Sequence, residues 1–172
     1  MSAIPPAQGD IIEKGLAMFE SSRRIIVDLT DDGRSTVDAD ARDVAVLDPV
    51  AGFRVHEVWC QQAVPGRVDD HGARSDDAEI TPPPGGALVR VLTIAPVALA
   101  EWVPNLHDDN DRHVLLLVSG TVELVLEDTE VTMTVGDSVV LSGHVHDWRN
   151  TSGEPAVLVY TTFTLTAGDS AI

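Results

Sequence analysis

The sequence predicts a single all-β domain, an antiparallel sandwich or barrel of short strands. The chain has 172 residues, which is enough for one domain of ordinary size and too few for two. From Ile25 onward, short runs rich in β-branched residues alternate with Gly, Asp and Pro turn signals, a pattern typical of antiparallel sheets. In residues 131–135, Val131, Met133 and Val135 alternate with polar residues, which predicts a half-buried strand.

The N-terminal segment, residues 1–21, is predicted to be a loose tail followed by one short amphipathic helix. Residues 10–20 place three apolar side chains at i, i+4 and i+7, the spacing of one helix face. These residues are Ile12, Leu16 and Phe19. We expect this face to cover an open barrel end or a partner subunit, and the β domain itself to span residues 22–172.

Turn signals divide the rest of the chain into successive strands. The predicted strands are residues 25–29, 53–59, 88–94, 113–118, 121–126, 131–135, 138–141, 146–150 and 156–165. Between residues 69 and 86 the chain is acidic and rich in Pro and Gly. This stretch predicts an exposed loop within the domain, because neither flank is large enough to be an independent domain.

Charge and cysteine content limit the partners that we expect. With 11 basic and 28 acidic residues, the net charge is −17, which repels nucleic acid and anionic lipid surfaces. Cys60 is the only cysteine, so the chain has no internal disulfide and no CxxC site. The first residues lack the features of a signal peptide, and the aliphatic run at residues 114–118 is too short to span a bilayer. We therefore expect a cytoplasmic protein without nucleic acid or membrane partners.

Histidines concentrate near the C-terminal end. The six histidines are His56, His71, His107, His113, His144 and His146. His107, Asp109, Asp111 and His113 share one parity, so in an extended segment all four side chains point to one face. An extended segment would likewise present four alternate residues on one face: His144, His146, Trp148 and Asn150. Two such segments can meet across a barrel interior, where imidazole and carboxylate ligands suit Zn, Fe, Mn, Ni or Cu.

These segments resemble the two motifs of the cupins, His-x-His-x3,4-Glu-x6-Gly and Gly-x5-Pro-x-Gly-x2-His-x3-Asn. The first motif reads here as His107-x-Asp109-x3-His113-x6-Gly120. The second spans residues 136–150, is one residue short and lacks the proline. Asp109 thus replaces the family's second histidine, and His113 replaces its glutamate.

The chain also resembles a subgroup of small single-domain cupins of bacteria and fungi. The shared segments are a His-Glu-Val-Trp strand at residues 56–59, a Pro-Pro-Pro-Gly-Gly loop at residues 82–86 and a hairpin at residues 124–128. The resemblance covers residues 22–165, and His113 stands where the subgroup has an aspartate.

The resemblance implies a cupin double-stranded β-helix, which is a jelly-roll barrel, preceded by the short N-terminal helix. It implies one divalent transition metal ion per chain, bound by His107, His113 and His146, with Asp109 as a fourth candidate. The alternative is a degenerate site in which these histidines bond to local aspartates. His144 and Asp111 are candidates for supporting the ligands, although His144 fits an exposed turn better. The resemblance also implies a homodimer that pairs edge strands.

The implied function is a metal-dependent enzyme for small molecules. Fe(II) is the favoured ion, with Zn, Mn and Ni as alternatives. The leading hypothesis is a dioxygenase that acts on an aromatic, diketone-like or polyketide-like substrate. The second hypothesis is a redox-neutral isomerase, cyclase or lyase. The third is a non-catalytic cupin that binds a small ligand. The cavity walls are expected to come from the strands that hold six apolar or aromatic residues, with the inward-pointing members left open: Leu115, Leu117, Met133, Trp148, Tyr160 and Phe163.

Overall fold

A computed structural model describes residues 24–32, 34–41, 45–66 and 79–165, and within these ranges the protein is all β. The strands are β1 Arg24–Leu29, β2 Ser35–Ala41, β3 Ala45–Leu47, β4 Phe53–Gln61, β5 Ala87–Ile94, β6 Asp111–Ser119, β7 Thr121–Val125, β8 Glu130–Thr134, β9 Ser138–Ser142, β10 Asp147–Arg149 and β11 Ala156–Thr164. The helix predicted for residues 10–20 lies outside the described residues.

The strands form three sheets in which all pairings are antiparallel. The six-stranded sheet has the order β3-β4-β5-β11-β6-β9, and the three-stranded sheet has the order β10-β7-β8. The third sheet is the β1-β2 hairpin, which contacts β4 through a hydrogen bond from Arg24 Nη1 to the Val58 carbonyl oxygen at 3.2 Å. The non-sequential strand order of the large sheet is that of a jelly roll, so the fold predicted from the sequence is confirmed.

The apolar core lies between the two larger sheets. Each sheet contributes alternate residues, because successive side chains of a strand point to opposite faces. The core residues are Val55, Leu92, Ile94, Leu115, Leu117, Val122, Leu124, Met133, Leu141, Trp148, Ala156 and Leu158. Four of the six predicted cavity residues therefore belong to this core, and Tyr160 packs against it.

Phe163 is the member of this set that faces outward. Its side chain is 39% exposed, because on β11 it has the parity opposite to Tyr160 and so points away from the interior. Of the loop expected at residues 69–86, only residues 79–86 lie within the described ranges; most of them are exposed, whereas Pro82 and Gly86 are buried. A Cβ atom on Gly86 would lie 2.3 Å from the Gln61 carbonyl oxygen, so the loop end packs tightly on β4.

Two strands, β2 and β3, lie outside the predicted set. β2 is exposed along most of its length, and its alternation of Val37, Ala39 and Ala41 with aspartates depends mostly on alanine, a residue depleted in strands. No helix in the described part of the chain has the length and apolar character needed to cross a membrane.

Candidate metal centre

His107 and His146 face each other across a single antiparallel β-bridge. The His107 amide donates to the His146 carbonyl oxygen at 3.0 Å, and the His146 amide donates to the His107 carbonyl oxygen at 2.9 Å. This pairing places the two imidazole ring centroids 4.6 Å apart. The bridge therefore joins the two histidine-bearing segments that the sequence separates by 38 residues.

Backbone carbonyls fix the orientation of both rings. The Nδ1 atom of His107 lies 2.8 Å from the Asn105 carbonyl oxygen, and the Nδ1 atom of His146 lies 2.8 Å from the His144 carbonyl oxygen. Because a carbonyl oxygen only accepts, Nδ1 carries the proton in each contact and Nε2 keeps its lone pair. Imidazoles that ligate metals are commonly held in this way.

His113 lies on β6 with its side chain toward the interior, and its ring centroid is 6.2 Å from that of His146. Its Nδ1 atom lies 2.9 Å from Thr162 Oγ1, on the neighbouring strand β11. Its Nε2 atom lies 2.5 Å from Asp109 Oδ2. The structure thus brings together all four predicted ligands, with His113 and Asp109 bonded to each other.

Asp109 is held by the turn that leads into β6. Its Oδ1 atom accepts a hydrogen bond from the Asp111 amide at 3.0 Å. Gly143, which has φ of 69°, passes so close that a Cβ atom there would lie 2.4 Å from the Asp109 carbonyl oxygen. Residue 143 therefore has to be glycine for two reasons. Its backbone is in the left-handed region, and the Asp109 turn occupies the space that a side chain would need.

The protonation of these groups is shifted in directions that suit a ligand set. Burial lowers the pKa of His146, which favours its neutral, ligating form. Burial raises the pKa of Asp109, but hydrogen bonds from His113 and the Asp111 amide outweigh it and lower the pKa overall. Burial and the neighbouring charge of Asp109 raise the pKa of Asp111.

The two predicted supporting residues differ in position. His144 is exposed, and its Nδ1 atom accepts a hydrogen bond from the Ser142 amide at 3.3 Å, so it is a turn residue in this structure. Asp111 is buried at the start of β6 and contacts Asp109 through its backbone. Trp148 meets His146 edge-on, with ring centroids 6.3 Å apart, and closes the apolar side of the centre.

Asp147 is a structural neighbour that the sequence patterns missed. Its carboxylate is buried, and Oδ2 accepts a hydrogen bond from the Asn105 amide at 2.8 Å. Asn105 in turn accepts from His107, so Asp147 supports the His107 ring through one intervening residue. Its parity is opposite to that of His146 and Trp148, so a pattern of residues on one strand face does not include it.

A buried polar cluster forms the wall beside His113. Arg90 on β5 is fully buried and donates to Glu57 Oε2 at 2.7 Å, to the Ile80 carbonyl oxygen at 2.7 Å and to the Glu79 carbonyl oxygen. Tyr160 pairs with Arg90 across the sheet, and its ring centroid is 6.4 Å from that of His113. Burial raises the pKa of Tyr160, so its phenol stays protonated at neutral pH.

The donor set fits a divalent transition metal in its chemistry. Three imidazoles and one carboxylate are ligands for Fe, Zn, Mn or Ni, and two of the imidazoles present an oriented Nε2 lone pair. Within the ranges that the structure describes, no three His, Cys, Asp or Glu side chains stand together as an assembled metal site. Asp109 Oδ2 and His113 Nε2 contact each other, so both atoms could bind one ion only after that contact opens.

Comparison with known families and structures identifies the same architecture. Residues 90–162 match the family model described as Cupin domain, a span that contains most of β5, all of β6 to β10 and most of β11. The cupin domain of Cnp3 from Schizosaccharomyces pombe has a TM-score of 0.50 and 11% sequence identity, over 84% of this chain and 88% of that chain. At this identity the likeness shows the fold alone.

Two further solved structures are similar at lower scores. AerE from Microcystis aeruginosa has a TM-score of 0.49 and 16% identity, over 72% of this chain and 46% of that chain. KdgF from a Halomonas species has a TM-score of 0.47 and 14% identity, over 70% of this chain and 89% of that chain. No curated protein sequence is significantly similar to this chain.

Proposed function

We propose that this chain, which has the cupin fold and matches the Cupin domain model over residues 90–162, is a metal-dependent enzyme for small molecules, an Fe(II)-type oxygenase. The observation that carries the proposal is the convergence of His107, His146, His113 and Asp109 at one end of the barrel. Two histidines with one carboxylate are the donor set of many non-haem Fe(II) oxygenases, and His107, His146 and Asp109 supply it.

In this proposal His107, His146 and Asp109 hold the ion, with His113 as the fourth ligand. A bound Fe(II) ion would supply a Lewis acid and a redox centre for reaction with dioxygen. Opening of the Asp109–His113 contact frees one carboxylate oxygen and one imidazole nitrogen, the two groups that complete the donor set.

The surroundings favour a small substrate that is partly apolar. Trp148 and the core residues behind it form an apolar wall on one side of the centre, whereas His107 is exposed to solvent. The net charge of −17 disfavours a highly anionic substrate. An aromatic compound or a diketone with one ionisable oxygen suits both conditions.

The test combines metal analysis with oxygen uptake. The full chain is purified without a histidine tag or chelator, its metal content per chain is measured, and it is then reconstituted anaerobically with Fe(II), Zn(II), Mn(II) or Ni(II). We expect near-stoichiometric binding of Fe(II), and oxygen consumption with members of a panel of diketones and catechols.

Three outcomes would count against the proposal. Stoichiometric Zn(II) or Ni(II) with conversion of the same compounds in the absence of oxygen would replace the oxygenase by an isomerase or lyase. Metal binding without conversion of any compound would leave a ligand-binding cupin. No metal after reconstitution would indicate a degenerate site, and with it the loss of the whole proposal.

A further inference from the structure

Two inward-facing side chains of the large sheet reach solvent, although their neighbours on the same strands are buried. Tyr160 on β11 is partly exposed between Leu158 and Thr162, which are 0 and 1% exposed. His113 on β6 is also partly exposed, whereas the next inward residue, Leu115, is buried. Because β11 lies between β5 and β6, an inward side chain on β11 meets solvent only through the barrel interior. Tyr160 and His113, whose ring centroids are 6.4 Å apart, therefore border one opening into the barrel.

The side chains beside Tyr160 leave the hydrogen of its hydroxyl group without an acceptor. Within the ranges that the structure describes, the hydrogen-bonding partner of this hydroxyl is Arg90, which pairs with Tyr160 across the sheet. A guanidinium carries only donors, so the phenol oxygen is the acceptor in that contact. The hydroxyl keeps its own hydrogen at neutral pH, because the ordinary pKa of a tyrosine is about 10. It is therefore free to donate to an acceptor that enters the opening.

Arg90 itself is closed off from such a molecule. Its side chain is fully buried, and its guanidinium donates to Glu57 Oε2 and to the Ile80 carbonyl oxygen, each at 2.7 Å. The Glu57 carboxylate balances the charge of Arg90, so the pair adds no net charge to the opening. Tyr160 is thus the member of this polar cluster that a bound molecule can contact, and it offers a neutral donor held in place by a buried ion pair.

We propose that Tyr160 binds the substrate of the metal centre by donating a hydrogen bond from its hydroxyl group to a substrate oxygen. The inference rests on the proposed function, since the molecule that enters the opening is the substrate of that centre. It narrows the substrate class to compounds with two neighbouring oxygens, such as catechols and enolised diketones. One oxygen faces the ligand set at His113 and the other accepts from Tyr160, because the two rings are close enough for one small molecule to contact both.

The test is the affinity of the full chain for 4-nitrocatechol, measured by difference absorption spectroscopy with and without added Zn(II). Tyr160→Phe removes only the hydroxyl group, so the affinity should fall by about 10- to 100-fold, the effect of losing a hydrogen bond to a charged oxygen. 4-Nitrophenol lacks the second oxygen, and its affinity should differ by less than about 3-fold between the two proteins. The matched control is Thr161→Val, which removes one hydroxyl group from the opposite face of β11 and should leave both affinities unchanged.

A spectroscopic signal reports the hydroxyl group directly. Tyr160 is the only tyrosine in the chain, so protein labelled with carbon-13 at tyrosine Cζ gives a single NMR resonance. We expect 4-nitrocatechol to shift this resonance in the wild type and in Thr161→Val. Circular dichroism and the Zn(II) content per chain should be the same in Tyr160→Phe as in the wild type, because the phenol is not a ligand in this proposal.

Several results would overturn the inference. A wild-type chain that binds 4-nitrocatechol neither with nor without Zn(II) is one, and unchanged affinity in Tyr160→Phe is another. An equal loss of affinity for both probes would assign Tyr160 to packing, and loss of Zn(II) from Tyr160→Phe would assign it to support of the ligands.

The inference and the proposed oxygenase fail in different ways. Binding of 4-nitrocatechol that depends on Tyr160, in a chain that consumes no oxygen, would remove the oxygenase and support the role of Tyr160. Oxygen uptake with a catechol whose affinity is the same in Tyr160→Phe would support the oxygenase and overturn the role of Tyr160.

Discussion

His107 and His146 exchange both backbone hydrogen bonds across one isolated bridge, and their ring centroids lie 4.6 Å apart. Each ring is also oriented by a carbonyl two residues before it in the chain, that of Asn105 for His107 and that of His144 for His146. Each imidazole is therefore oriented by a backbone carbonyl, and removing one imidazole leaves the backbone hydrogen bonds of the bridge in place.

The first prediction follows from this relationship. His107→Ala and His146→Ala should each weaken Zn(II) or Co(II) binding by more than about 100-fold, because loss of a ligand exceeds the 10- to 100-fold effect of losing an outer partner. Isothermal titration with the metal measures the affinity, and circular dichroism verifies the fold. His144→Ala is the matched control, since His144 is exposed in the same segment. Equal affinity of the wild type and both ligand variants would show that the ion binds elsewhere.

The second prediction concerns Asp109, which is bonded to His113. If Asp109 is a ligand, Asp109→Asn removes the negative charge that binds the ion, and the affinity should fall by more than about 100-fold, as for a histidine ligand. A loss of about 10-fold would instead assign Asp109 the role of orienting His113. Metal titration of Asp109→Asn beside Asp108→Asn separates the two roles, because Asp108 is an exposed neighbour with the same charge.

The third prediction concerns Asp147, whose Oδ2 atom accepts from the Asn105 amide. Asp147→Ala should free the segment that orients His107 and weaken metal binding by about 10- to 100-fold, the range for an outer partner of a ligand. If Asp147 had a purely structural role, Asp147→Ala would lower the melting temperature and leave the metal affinity of the folded protein unchanged. Measuring both quantities on the same preparation decides between these results.

The sequence was sufficient to predict the fold, because the evidence for it is local. The alternating residues of β8 and the apolar run in β6 are properties of single strands, and both strands formed where the pattern placed them. Asp109 and His113 do contact each other, through the turn before β6 and not along an extended strand. Their joint approach to His146 depends on a bridge between distant segments, which no local pattern encodes.

Other parts of the site depend on partners across the sheet. Asp147 acts through a backbone amide 42 residues away, and a sequence carries no signal for such a contact. Arg90 and Glu57 would each be read as surface residues, since charged side chains are rarely buried unless they are paired. Only the register of β4 against β5 places them together in the interior.

The fourth prediction concerns this buried pair. Arg90→Met leaves the Glu57 carboxylate without its partner in the interior and should lower the free energy of unfolding by about 3–5 kcal/mol. The double variant Arg90→Met with Glu57→Leu should recover much of that loss, because no uncompensated charge remains. Urea denaturation measures both. Arg54→Met, which breaks the more exposed pair with Asp48, should cost less than about 1 kcal/mol.

The fifth prediction is a pH dependence of stability that arises from His56. Its side chain is buried on β4, and burial lowers its pKa below the ordinary value of 6.5. Below about pH 6.5 the unfolded chain therefore binds a proton at His56 that the folded chain does not bind. Stability should then fall as the pH decreases from 6.5 toward the folded pKa, and should be fully regained above 6.5.

His56→Gln tests this dependence, because glutamine does not titrate in this range. The free energy of unfolding of both proteins is measured by urea denaturation between pH 5 and pH 8, with the metal absent. A constant offset between the two curves reports only the change in packing, whereas a difference in slope below pH 6.5 reports the proton. We expect the smaller slope in His56→Gln. Parallel curves over the whole range would show that His56 binds its proton equally in the folded and unfolded chains.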